Sequence, residues 1–327
     1  MILSVISYQI PLLKLWIIAL FRNEIFSRII VKERFMALNS FLSPAELAQT
    51  FVGVGVKKSK LPIGKMLVLG ILAGIYIGFA AHLATTVATG WTIGGESALF
   101  GFKKFLIGAV FSVGLMLVII PGSELFTGNN LLTVALCHGK LGFGGMFRNW
   151  IPVYFANLIG SILLAWMIGV GSGLLSGNVG GTAIAIAYGK VASSVPQGFS
   201  HNVSFFFRAI GCNFLVCLAV MMAISAKDLG GKIWGIFFPI MAFVTSGFEH
   251  CVANMYFIPA GIFAKRFDSA VTASGVSAEN LEALNWSSMW SQNLISVTLG
   301  NIVGGAFFVG VVYYFVYVRG TNAGSEE

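Results

Sequence analysis

Charge is scarce in this chain: Asp, Glu, Lys and Arg make up 10% of its 327 residues. A soluble domain carries about 25% charged residues, so water is excluded as the main solvent and a lipid bilayer is the expected one. The net charge of +8 would suit a nucleic-acid partner. However, the basic residues stand at the ends of apolar runs, as loop charges of a membrane protein do, so no nucleic acid is expected. Cysteine is also sparse. Cys137, Cys212, Cys217 and Cys251 lie in or beside apolar runs and form no CxxC pair, which argues against a disulfide framework or a metal site. The four histidines, His82, His138, His201 and His250, form no HxxxH or HExxH spacing, so zinc has no support. No nucleophile, metal cluster or cofactor motif accompanies them. The chain therefore reads as a non-enzyme without a cofactor.

What is abundant is apolar: hydrophobic residues are 57% of the chain, mean hydropathy is +0.88 and glycine occurs 40 times. Small residues let membrane helices approach closely. Six apolar segments are predicted, over about 66–89, 105–137, 150–171, 205–226, 233–263 and 294–318. Each is long enough to cross the hydrocarbon. The second and fifth are too long for one simple span, and both contain polar interruptions. Pro121-Gly-Ser-Glu-Leu-Phe-Thr-Gly-Asn-Asn130 interrupts the second, and Thr245-Ser-Gly-Phe-Glu-His-Cys-Val-Ala-Asn254 the fifth. A helix broken inside the membrane frees backbone groups and admits polar side chains to a cavity. Two such breaks in corresponding places point to a transport site.

Ahead of the spans, residues 1–35 read as a poorly defined extension that an early start codon would explain, with Met36-Ala-Leu-Asn as the natural beginning. Within 36–62, Ser43-Pro-Ala-Glu46 is a helix start with a capping box. The short amphipathic helix it opens is expected along the cytoplasmic membrane surface. Residues 63–319 form the six-span domain and 320–327 a tail. Lys57, Lys58, Lys60, Lys65, Lys140, Arg148, Lys227, Lys232 and Arg319 alternate as a cytoplasmic N-terminus requires. Lys103, Lys104, Lys265 and Arg266 fall on the other side. Phe155-Ala-Asn157-Leu-Ile-Gly160 in the third span recurs as Leu299-Gly-Asn301-Ile-Val-Gly304 in the sixth. An offset of three spans predicts two inverted three-helix repeats, with Asn157 and Asn301 pinning helix ends.

Gly122-Ser-Glu-Leu-Phe-Thr-Gly-Asn129, Cys212-Asn-Phe-Leu-Val-Cys-Leu-Ala-Val220, Gly247-Phe-Glu-His-Cys-Val-Ala-Asn-Met255 and Gly300-Asn-Ile-Val-Gly-Gly305 resemble the signature stretches of the formate/nitrite transporter family, in order over about 43–319. The resemblance implies an all-α, aquaporin-like integral membrane fold. It also implies a pore in each protomer of a homopentamer and a small monovalent anion as substrate. By the same resemblance, His250 is the central histidine, Thr127 the loop threonine, Asn213 the pore asparagine and Glu249 the glutamate before the histidine. Phe111, Leu115, Leu125 and Phe243 match the constrictions. Glu124, Glu249 and Asn254 are assigned to supporting the breaks, the two carboxylates by accepting freed backbone N–H groups. The family's outer lysine has no match sixteen residues before Asn213, where Gln197 stands. An insertion over 193–202 would explain this, and the anion-attracting role passes to Lys190, with Arg208 as the weaker candidate.

Elementary electrostatics leads the same way. A bare anion in a low-dielectric slit costs tens of kcal/mol, and a proton removes that charge. Histidine titrates in a range suited to lending one. The expected function is proton-linked passage of formate, with nitrite or hydrosulfide as alternatives, and proton, anion and bilayer as partners. A neutral-solute pore of aquaporin type remains the runner-up, although its paired Asn-Pro-Ala is absent. A membrane enzyme using Glu249 and His250, and a sensor on a transporter fold, are the remaining alternatives.

Overall fold

The computed structural model describes residues 41–91, 99–192 and 200–320. The expectations for residues 1–35, for Met36 and for Gln197 lie outside them. Every element among the described residues is helical. The Ser43 hydroxyl caps α1 (Pro44–Ser59), and the Ser43 amide donates to the Glu46 carboxylate at 2.8 Å, completing the predicted box. The helix α2 (Ile63–Ala88) follows; at 1.5 Å per residue it spans about 39 Å, more than the hydrocarbon. The second span is α3 (Phe100–Ile119), then the break, then two short helices, α4 (Phe126–Asn129) and α5 (Leu132–Cys137). The third is α6 (Phe143–Gly171).

The stretch between the third and fourth predicted spans, about 172–204, holds no predicted segment. It instead holds α7 (Gly177–Val191). The fourth span is α8 (His201–Ser225). The fifth is α9 (Leu229–Thr245) and, beyond the second break, α10 (Cys251–Ala264). Two small helices, α11 (Asp268–Ser274) and α12 (Ala278–Ala283), precede the sixth, α13 (Trp286–Tyr317).

The halves pack alike. In the first, α2 lies on α6 and α1 lies on α5; in the second, α8 lies on α13 and α7 lies on α10. So α7 is the counterpart of α1, and each repeat has a short helix ahead of its three spans. The apolar face of the amphipathic α1 packs inward: Leu47, Ala48, Phe51 and Val52 are buried. Close approach is built from glycine. A Cβ at Gly74 would collide with the Asn157 carbonyl, and one at Gly304 with the Ile210 carbonyl. Along α13 the ladder slips into a π-helical stretch over Val303–Val311. There the Thr133 hydroxyl donates to the Ala306 carbonyl at 3.1 Å, the kind of side-chain intrusion that displaces a helical bond.

Candidate functional site

Both breaks turn on a glycine in the left-handed region, Gly122 at φ 93° and Gly247 at φ 75°. A side chain there would be strained. After each turn three residues without helical structure, the last of them (Leu125, His250) extended, lead into a new helix at Phe126 and at Cys251. The buried amides and carbonyls freed by the breaks need partners inside the protein. One asparagine serves each break. The Asn157 side-chain oxygen accepts from the Phe126 amide at 2.9 Å, and its nitrogen donates to the carbonyls of Gly70 at 2.8 Å and Glu124 at 2.9 Å. Asn301 does the same for the Cys251 amide and for the carbonyls of Ala209 and Glu249, all at 2.9 Å. The two copies of Asn-x-x-Gly are therefore the clamps of the two breaks, as the repeat in the sequence led one to expect.

The carboxylates do not play the expected part. Glu249 accepts from Lys190 Nζ at 2.9 and 3.1 Å and from Asn254 Nδ2 at 2.7 Å. Its own amide donates to the Arg208 carbonyl at 3.4 Å. Glu124 accepts from Lys58 Nζ and from Asn129 Nδ2, each at 2.7 Å. The partners are thus a lysine and an asparagine, not backbone N–H groups. A third residue completes each set. Asn149 accepts from Asn129 at 2.8 Å and donates to the Lys58 carbonyl, while Asn293 accepts from Asn254 at 2.8 Å and donates to the Lys190 carbonyl at 2.9 Å. Asn149 and Asn293 escaped the sequence reading, and Lys58 entered it only as a loop charge. The clue was available: Asn149 and Asn293 stand 144 positions apart, as Asn157 and Asn301 do.

His250 lies 4% exposed at the N-cap of α10. Its Nδ1 accepts the Ala253 amide at 3.1 Å, and its Nε2 lies 3.0 Å from Thr127 Oγ1. An amide can only donate, so Nδ1 carries no hydrogen, and the proton of the neutral ring sits on Nε2, facing Thr127. Phe243 stacks on the imidazole, centroids 6.0 Å apart, and meets Phe111 edge to face at 5.9 Å. A cavity of about 690 Å³ reaches this cluster from one side, lined by His250, Phe111, Phe243 and Lys190 among others. A second cavity of about 280 Å³ approaches from the other, ending on Leu115 and Leu125. Thr127, fully buried, stands between them, bonded to the ring. The four predicted constriction residues thus divide into an aromatic pair on one side and a leucine pair on the other.

Two placements differ from expectation. Asn213 lines neither cavity. It donates to the carbonyls of Thr127 at 3.2 Å and Asn301 at 2.7 Å and to the Asn130 side chain at 2.9 Å, so it braces the first loop against α13. Lys190 faces the larger cavity, but its charge is matched by Glu249. Among the described residues no cluster of His, Cys, Asp and Glu could hold a metal ion.

Comparison with known proteins agrees with this architecture. A sequence model described as formate/nitrite transporter matches residues 45–315. A probable formate transporter of Methanothermobacter thermautotrophicus is 43% identical over 296 residues, 86% of this chain and 99% of that protein. The formate channel FocA of Escherichia coli K12 is 35% identical over 288 residues, 85% of this chain and 95% of its own. A solved pentameric formate channel with formate bound superposes with a TM-score of 0.67 at 37% identity, covering 79% of this chain and 98% of that one.

Proposed function

This chain belongs to the formate/nitrite transporter family, and from that premise we propose that it carries formate across the membrane as a homopentamer, with the anion's charge removed at His250 on the way. Five long apolar helices and the broken fifth segment make it a multi-pass membrane protein. Its relatives are named as formate transporters and channels, and the pentamer is read across from the solved relative. The loop charges on the Lys58 side support a cytoplasmic location for that face.

The observation that carries the proposal is one buried imidazole at the wall of the larger cavity, stacked on Phe243 and bonded to Thr127 ahead of the Leu115–Leu125 side. Bare formate at such an apolar constriction costs tens of kcal/mol. The neutral ring gives its Nε2 hydrogen to Thr127 Oγ1, which leaves the threonine hydroxyl hydrogen free to bond an oxygen of the arriving anion. A doubly protonated ring would point an Nδ1 hydrogen at the Ala253 amide, so this form gives up the cap bond. It is favoured only while an anion beside it balances the charge. The ring takes its second proton from water on the larger-cavity side as the anion arrives, and the imidazolium then passes one proton to the carboxylate, leaving neutral imidazole and formic acid. The acid crosses the Leu115–Leu125 side uncharged and releases the proton in the far cavity.

Proteoliposome formate flux with His250→Asn tests this. Asparagine is a good N-cap and keeps the Ala253 amide paired, but it does not titrate. Folded pentamer with flattened pH dependence is expected; a pH profile like that of the parent would remove the histidine from the proton step. Competition of labelled formate with nitrite and hydrosulfide tests the choice of anion, and a strong preference for either would displace formate.

A further inference from the structure

The aromatic pair of the constriction stands on two helices, Phe111 on α3 and Phe243 on α9, edge to face at 5.9 Å. Each helix is weakened next to its ring. At Ser112 the ladder of α3 tightens, and the Ser112 amide donates to the Ala109 carbonyl, three residues back, at 3.3 Å. In α9, Pro239 lies one turn before Phe243 and leaves the Gly235 carbonyl without its ladder bond. A tightened turn and an internal proline are both places where helices hinge. Two side chains cross between these helices. The fully buried Ser112 hydroxyl donates to the Phe237 carbonyl at 3.1 Å, its hydrogen shared with the Gly108 carbonyl at 3.3 Å. The Thr245 hydroxyl donates to the Lys104 carbonyl at 3.3 Å. Pairing 112 with 237 and 104 with 245 makes the helices antiparallel and brackets both rings between the rungs. There the backbones close up at Gly108, where a Cβ would collide with the Thr245 hydroxyl and the Met241 carbonyl.

The rings have little freedom of their own. Phe111 also stacks on Phe257 of α10, centroids 6.4 Å apart, and Phe243 stacks on His250 at 6.0 Å. Both rings are buried. With their faces held by neighbours, the gap between them follows the spacing of α3 and α9. We propose that Ser112 and Thr245 are positioning residues that fix the width of the Phe111–Phe243 slit and so restrict passage to the smallest carboxylates. The proposal rests on the transport reading above for its substrate. Ser112 and Thr245 line neither of the two cavities, so neither hydroxyl meets the anion there; each acts through the helix that carries a ring. Acetate is formate with one more CH2, and a close-fitting apolar site separates two such compounds about 10–200-fold. A slit between hinged helices keeps that discrimination only while the rungs hold.

Two measurements test the rungs. In proteoliposomes, S112A/T245V should raise the ratio of acetate to formate uptake roughly tenfold. S112A and T245V alone, each removing one rung, should give smaller rises. T245S keeps the hydroxyl and should hold the parent ratio, whereas G108A, which forces the same helices apart, should raise it. A parent-like ratio in the folded double variant would overturn the proposal, because a hydroxyl that serves stability alone leaves size selection where it was. The second measurement needs no transport. Backbone hydrogen exchange over 104–116 and 237–245 should speed up severalfold in S112A/T245V, with α8 and α13 unchanged. Faster exchange in those stretches together with absent formate flux in the parent would keep the rungs and reject the transport reading. Unchanged exchange would reject the rungs whatever the flux.

Discussion

The two breaks are built on one frame and differ where it matters. Each has a left-handed glycine, an asparagine clamp from the facing span, and a carboxylate held by a lysine from the preceding short helix and by one asparagine, which a second asparagine holds in turn. Glu124 and Glu249 are 125 positions apart, as are Asn129 and Asn254. On that register, the residue after the glutamate is Leu125 in one half and His250 in the other. Two places further on, Thr127 stands opposite Val252. The scaffold is duplicated and the chemistry is not. A single imidazole takes its hydroxyl partner from the opposite repeat, so neither half alone assembles the site.

If the frame is shared, damage to it should be equal in the two halves. Asn157→Ala and Asn301→Ala each strip three buried hydrogen bonds. A buried group left unpaired costs about 1–3 kcal/mol, so both should lower the thermal stability of the purified protein by several kcal/mol and by similar amounts. A large effect at one position and none at the other would break the comparison. The ion pairs come next. Lys190→Met leaves the Glu249 carboxylate unpaired, and removing one member of a buried pair costs about 3–5 kcal/mol. Lys58→Met should cost less, because the Lys58 side chain is 27% exposed against 14% for Lys190, and water screens what remains. A double-mutant cycle on each pair would rank them.

A smaller effect should appear at the point of asymmetry. Thr127→Val removes the partner of the His250 Nε2 hydrogen and should cost about 1–3 kcal/mol of stability together with most of the formate flux. Thr127→Ser should recover both, and full flux in the valine form would sever the threonine from the mechanism. The smallest effect belongs to the α1 cap. The Ser43 hydrogen bonds hold the Glu46 carboxyl below its ordinary range, so their contribution is present above that range. It fades as pH falls through the lowered value. Acid melts of Ser43→Ala should show a shallower loss on acidification than the parent.

Several parts of this arrangement were readable from residue order. The breaks declare themselves because Gly, Ser, Glu and His stand in apolar runs that a continuous span would not tolerate. The clamps declare themselves because Asn157 and Asn301 sit in matching contexts three spans apart. The helix α7 stayed hidden for a physical reason. Its packing face mixes the small residues Gly180, Gly181, Ala183 and Ala187 with only Ile184 and Val191, and the small ones gain by closeness, with a Cβ at Gly261 colliding with Ala187. The partner of Lys190 stayed hidden because 59 positions separate it from Glu249, and no local pattern joins them.

Composition alone decided that this chain lives in lipid. The placement of polar residues within its apolar runs decided that two spans must break, because an unpaired peptide group in hydrocarbon is too costly to leave. Which groups meet across those breaks was decided only by folding. Lys190 becomes a brace, Asn213 a strut and Thr127 the partner of an imidazole 123 positions away because inverting one half against the other brings the two loops tip to tip. Contacts made by that inversion depend on three-dimensional packing, which a linear spacing does not encode.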